Sequence, residues 1–86
     1  MRQQNELART VVRMCVDHGN MSVDEGVDVL LAPALYVTHL SVALACARWT
    51  QCLGPDNTRD GRAAYAYVAG VMAGHHVTED PRVVGV

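Results

Sequence analysis

The sequence has no lysine, no isoleucine and no phenylalanine, and its aromatics are one Trp and three Tyr. Lys, Ile and Phe are encoded by AT-rich codons, so their joint absence points to a GC-rich genome, that of a bacterium or one of its phages. It also leaves the core to Val (14 residues), Ala (11), Leu and Met, a set of mostly small side chains. Positive charge is scarce. Seven Arg stand against nine acidic residues, for a net charge of -2, so no basic excess exists to hold nucleic-acid phosphates. Three Cys cannot close a complete set of intrachain disulfides, which argues against a stapled secreted mini-protein. Met1-Arg2-Gln3-Gln4-Asn5-Glu6 is polar and no apolar run follows it directly, so no signal peptide is expected and the cytoplasm is the expected compartment. At 86 residues a multi-domain enzyme is excluded, and with half the residues apolar so is a disordered chain. The expectation is a single helical domain over residues 1–80 followed by a flexible tail, 81–86.

What is present reads as helix throughout. From Asn5 to His18, Leu7-Val11-Cys15 and Ala8-Val12-Val16 form two adjacent rows at four-residue spacing, with Arg9, Arg13 and Asp17 on the far side. Gly19-Asn20 supplies left-handed positions that end this helix. Ser22-Val23-Asp24-Glu25 reads as a capping box, and Asp24, Glu25 and Asp28 favour the positive end of the dipole of the helix that follows. The apolar stripe of that helix is Val23-Val27-Leu30-Leu31-Ala34-Leu35. Pro33 interrupts it, predicting a kink or break near Ala32. Helix resumes to about Cys52 and stops at Leu53-Gly54-Pro55. A last helix, capped by Asp56, Asn57 or Thr58, runs from about Asn57 to His76.

Charge is missing from two long stretches: nineteen residues between Asp28 and Arg48, and sixteen between Arg62 and Glu79. A helix that is apolar all round lies in a large core or in a membrane, and a chain this short cannot bury two of them completely. A second copy, another protein or lipid must cover the excess. The first run approaches the length of a bilayer span but holds Pro33, Thr38, His39 and Ser41. The second is short and holds Gly70, Gly74, His75 and His76. It also lacks aromatic belts at both ends and a basic flank to set orientation. A two-span membrane hairpin of the small lysis-protein type is therefore the alternative, and a soluble helical oligomer the main reading.

Candidate contact residues follow. Ala66, Gly70 and Gly74 recur every four residues in the last helix, a row of small side chains that lets another backbone approach closely, within the subunit or across an interface. Tyr65 and Tyr67 lie roughly 200° apart around the helix, so one of them sits at an interface or the rim. Trp49 lies on the row Leu35-His39-Val42-Cys46-Trp49-Leu53, is expected to close the end of the core, and is the best single anchor for a partner.

Sharper chemistries find less support. A helix-turn-helix register with Gly19 in the turn puts His18, Asn20, Glu25 and Asp28 where apolar residues belong. Its recognition helix would open with three carboxylates, leaving Arg2, Arg9 and Arg13 to make all contacts. Cys15 and His18 share a face and Cys46 and Cys52 could complete a tetrahedral zinc site, a zinc-stapled module being the second alternative; yet the two later cysteines are six apart on a continuous helix, and buried free Cys is common. His75, His76 and Glu79 could hold a divalent ion, or the histidines could simply suit a helix C-terminus. His39, alone on an apolar row, reads as a hydrogen-bonded core histidine. No phosphate loop and no nucleophile–base order is present, so neither enzyme activity nor a cofactor nor a small-molecule substrate is expected. The Val83-Val84-Gly85-Val86 end is a candidate binding strand. The sequence thus predicts an all-α bundle of three long helices, the middle one kinked or broken at Pro33. It would act by protein–protein contact, as a homo-oligomer such as a dimer or as a regulator docking on a larger protein.

Overall fold

The computed structural model describes residues 2–74, and the side chains of residues 6–74. It is all-helical, with four helices: α1 (Arg2–His18), α2 (Val23–Leu31), α3 (Val37–Gln51) and α4 (Pro55–Met72). Residues 75–86, which include the expected tail, His75-His76-Glu79 and the Val83–Val86 strand, lie outside the described residues.

Both predicted rows of α1 face inward. Ala8, Val11, Val12 and Cys15 are buried, Leu7 and Val16 half-buried, and Arg9, Arg13 and Asp17 exposed. The stop after His18 is divided between two residues differently from expectation. Asn20 alone takes the left-handed conformation (φ 56°), whereas Gly19 is needed for space: a Cβ there would lie 2.8 Å from the Cys15 carbonyl oxygen and 3.2 Å from Cys46 Sγ. The capping box of α2 forms as predicted. The Glu25 amide donates to Ser22 Oγ (3.1 Å) and the Ser22 amide to Glu25 Oε1 (3.3 Å), an arrangement worth about 1 kcal/mol.

Pro33 breaks the chain rather than kinking it. The residue before a proline is pushed out of the α region, and Ala32 sits at φ -133°, ψ 62°. Its amide still bonds Asp28, and successive turns (Leu35 amide to Ala32, Tyr36 amide to Pro33) then redirect the backbone into α3. The nineteen-residue uncharged run is thereby split between two helices. Among the described residues no helix is long and apolar enough to cross a membrane. The inward face of α2 is also shifted from the predicted stripe: Gly26, Val27, Val29 and Leu30 are buried, while Val23, Leu31, Ala34 and Leu35 are exposed.

The second interhelical corner corrects two further expectations. The last helix begins at Pro55, not Asn57, with Gly54 as N-cap and no side-chain cap. Proline suits the first helical position because its missing amide hydrogen would have no partner there. Gly54 sits at φ 142°, ψ 171°, a conformation open essentially to glycine alone. Thr58, expected as a cap, instead donates its hydroxyl to the Gly54 and Gln51 carbonyls and ties the first turn of α4 to the end of α3. The helix ends at Met72, short of His76, with Gly74 beyond it at φ 102°.

α3 and α4 form a tight antiparallel hairpin. On α3 the buried row is Leu40-Ala43-Ala47-Thr50, and on α4 it is Gly61-Ala64-Val68-Val71. The closest approach is at Gly61. A Cβ added there would lie 2.7 Å from the Gln51 backbone nitrogen and 2.9 Å from the Ala47 carbonyl oxygen. α1 and α2 close the remaining sides around a core whose largest fully buried side chains are Leu30, Val11, Val27, Val29, Val68 and Cys15. The one buried polar side chain among the described residues, Thr50, returns its hydroxyl to the Cys46 carbonyl (2.8 Å).

Replacing glycine by alanine inside an open helix stabilises by roughly 0.5–1 kcal/mol. At position 61 the sign reverses, because the atoms in the way are backbone and the two helices must part. Gly61→Ala is expected to lower stability by about 1–3 kcal/mol in urea unfolding. An unchanged or raised midpoint would mean that the hairpin separates without cost.

Candidate protein-contact face

α3 carries two apolar arcs. The inner one, just described, packs on α4 and α1. The outer one runs Thr38-Val42-Ala45-Trp49-Cys52, at alternating four- and three-residue spacing, and every member is exposed. At 100° per residue this spacing keeps the five side chains within about 80° of one another, along the length of the helix. Beyond the two ends of this arc in the sequence, Leu35 (81 % exposed), Val37 and Leu53 (45 % exposed) are exposed as well. Scattered apolar residues on a surface are ordinary; these lie in line along one face of a helix.

Trp49 is the main correction. It does not close the core: it is 57 % exposed and stands over a shallow groove of about 530 Å³ with Val42, Ala45 and Cys46 on its floor and Asp17 and His18, from the end of α1, as its far wall. The row on which it was placed is largely an outer row. Of its six members Cys46 alone is buried, and His39 is half-buried with its ring edge-on to Tyr36 at 5.6 Å between centroids. Behind the Asp17–His18 ridge lies a smaller depression of about 260 Å³ lined by Arg13, Met14, Thr50, Leu53, Asn57 and Asp60 among others.

The other candidates are scattered. Tyr65 and Tyr67 are both half-buried against the core, and burial raises the Tyr67 hydroxyl above its ordinary value. Ala66 is exposed, Gly70 half-buried, and Gly74 lies past the end of α4. A close helix crossing is made by Gly61, which the four-residue row did not include. The structure therefore does not bring Trp49 and the Ala66-Gly70-Gly74 row into one strip on α3.

Cys15 and Cys46 are buried and Cys52 exposed, all as free thiols. Cys52 projects outward, away from the other two, and among the described residues no three His, Cys, Asp or Glu side chains gather as a metal site. Arg9 and Arg13 lie on the outer side of α1; Glu25 is engaged in the capping box of α2, Asp24 stands beside it in the first turn, and Asp28 follows in the second. No family model, curated protein or solved structure matches the chain.

The contrast between exposed and buried side chains can be tested in two ways. Trp49→Ala is expected to change stability by less than about 1 kcal/mol, whereas Leu30→Ala, in the core, costs about 2–5 kcal/mol; a Trp49→Ala loss as large as that of Leu30→Ala would return the indole to the core. The second concerns pH. Burial, with nearby Cys46 adding to it, pushes the Cys15 thiol from the ordinary 9.0 up to about 11. Between those values the folded chain holds a proton that the unfolded chain releases, so stability falls as pH rises from about 9 to about 11. Cys15→Ala should flatten that decline in urea midpoints. The same slope in the variant would assign it to other groups.

Proposed function

We propose that the chain acts by protein–protein contact rather than catalysis, through the outer arc of α3 with Trp49 as anchor. The observation that carries this reading is that exposed Val42, Ala45 and Trp49 line one groove along the outer face of α3. Trp is the residue type that most often dominates a contact energetically, and here it borders a groove that leaves part of its ring and the Val42 side chain open to a partner. In such a contact the small Ala45 lets a facing helix come close while Trp49 and Val42 supply the buried area. The cytoplasm fits the three free thiols, since a reducing compartment keeps an exposed cysteine such as Cys52 unpaired.

A photo-activated cross-linking amino acid at position 45 tests the reading in the cells that make the protein, with the same group at exposed Arg13 as the control. Discrete cross-linked species from position 45, lost when Trp49→Glu is added and absent from position 13, are the expected result. Trp49→Glu should leave the helical content and the unfolding midpoint close to those of the parent. Equal labelling from both positions would remove the outer arc of α3 from the function.

A further inference from the structure

Resting on that contact reading, we infer that the occupant of the outer arc is a second copy of this chain, packed α3 to α3 in parallel about a two-fold axis. Thr38, Val42, Ala45, Trp49 and Cys52 repeat at four- and three-residue intervals, the spacing at which two helices keep one seam in contact. Around this seam the two flanks differ in charge. Relative to Ala45, Val42 and Trp49 lean about 40–60° toward α1, where Asp17 and His18 wall the groove; Arg48 leans about 60° the opposite way.

Symmetry then decides the register. A two-fold axis parallel to the helices sets the α1-side flank of each copy against the opposite flank of the other, at the same height. The exposed Arg48 of each copy therefore arrives over the partner's groove, where a guanidinium can lie on the Trp49 ring and reach the Asp17 carboxylate. An antiparallel pair does the reverse: like flanks meet, so the two Asp17 carboxylates share one side and the two Arg48 guanidiniums the other. Charge complementarity favours the parallel pair. The seam is one fifteen-residue helix, about 22 Å long, so the buried area is at the small end for specific complexes and the affinity is expected in the micromolar range.

The parallel register also brings Cys52 of one copy to Cys52 of the other across the axis, which supplies a native reporter. Sedimentation equilibrium of the full chain in reductant, from about 1 to 500 µM, is expected to show the mass climbing from 9.3 kDa toward twice that value. Over the same range acrylamide quenching of Trp49, the sole Trp, should weaken. With diamide as oxidant, each Cys52 thiol gives up its proton and one electron to form an interchain disulfide, the diamide being reduced to the hydrazine. Thr38→Cys/Cys52→Ser should cross-link as well, since position 38 also faces its own copy in the parallel register; in an antiparallel pair it faces residue 52 and would not. Arg48→Glu and Asp17→Arg should each weaken association at least tenfold, and the double exchange should restore it.

A mass fixed at 9.3 kDa with unchanged quenching would overturn self-association. The position-45 cross-links of the preceding section would then separately decide whether the arc meets a foreign protein. Association without the position-38 cross-link, or without rescue by the double exchange, would overturn the parallel register.

Discussion

The approach of α4 to α3 at Gly61 is the constraint on which the remaining structure depends. A backbone–backbone approach so close that a Cβ at 61 would sit 2.7 Å from the Gln51 nitrogen fixes the inner row of α3 against α4 and admits only small residues near the loop, Ala47 and Ala64 among them. Farther along the pair the buried residues are Leu40, Val68 and Val71, and α1 and α2 close the remaining sides of the core. Since α4 and α1 both lie on the inner side of α3, no element of the described chain is left to cover its outer side. Among the described residues, the exposed strip thus follows from how the four helices are arranged.

Within that frame, polar groups are placed so that close packing carries little desolvation cost. The Thr50 hydroxyl is turned back onto its own helix and Thr58 bridges the ends of α3 and α4 across the Gly54 corner. No buried side-chain nitrogen or oxygen among the described residues lacks a partner. The two buried thiols behave as small apolar groups at neutral pH, because burial holds them protonated. Stability therefore comes from many modest Val, Ala and Leu contacts, together with local devices such as the Ser22–Glu25 cap.

How far the sequence could be read follows the same physics. The rows of α1, the Ser22–Glu25 box and the break before Pro33 were legible because each is set by neighbours within four residues. The start of α4 is less legible, because Asp56, Asn57 and Thr58 all resemble N-caps and Gly54-Pro55 serves equally as a stop for α3 and as the proline-first start of α4. The orientation of α3 was not legible. Its two arcs, Leu40-Ala43-Ala47-Thr50 and Thr38-Val42-Ala45-Trp49-Cys52, are similarly uncharged and similarly spaced, so periodicity offers no means of choosing which faces inward. Choosing the row through His39, Cys46 and Trp49 put the indole in the core. The decisive information is the position of Gly61 on the following helix, a tertiary fact that no four-residue pattern on α3 contains.

The placement of Trp49 then has a physical reason of its own. The α3–α4 crossing is built of small residues, Gly61 and Ala64 on one helix and Ala43 and Ala47 on the other, and would have to open to admit an indole; Trp49 stands on the other side of α3. Its exposure alone would mean little. What gives it meaning is that Val42, Ala45 and Cys52 share its arc and that Asp17 and Arg48 stand on opposite flanks. An isolated surface Trp could be exchanged for a polar residue with little consequence. A Trp at the centre of an uncharged seam, flanked by one carboxylate and one guanidinium, presents the elements of a two-fold contact whose apolar part sets affinity and whose charges set direction.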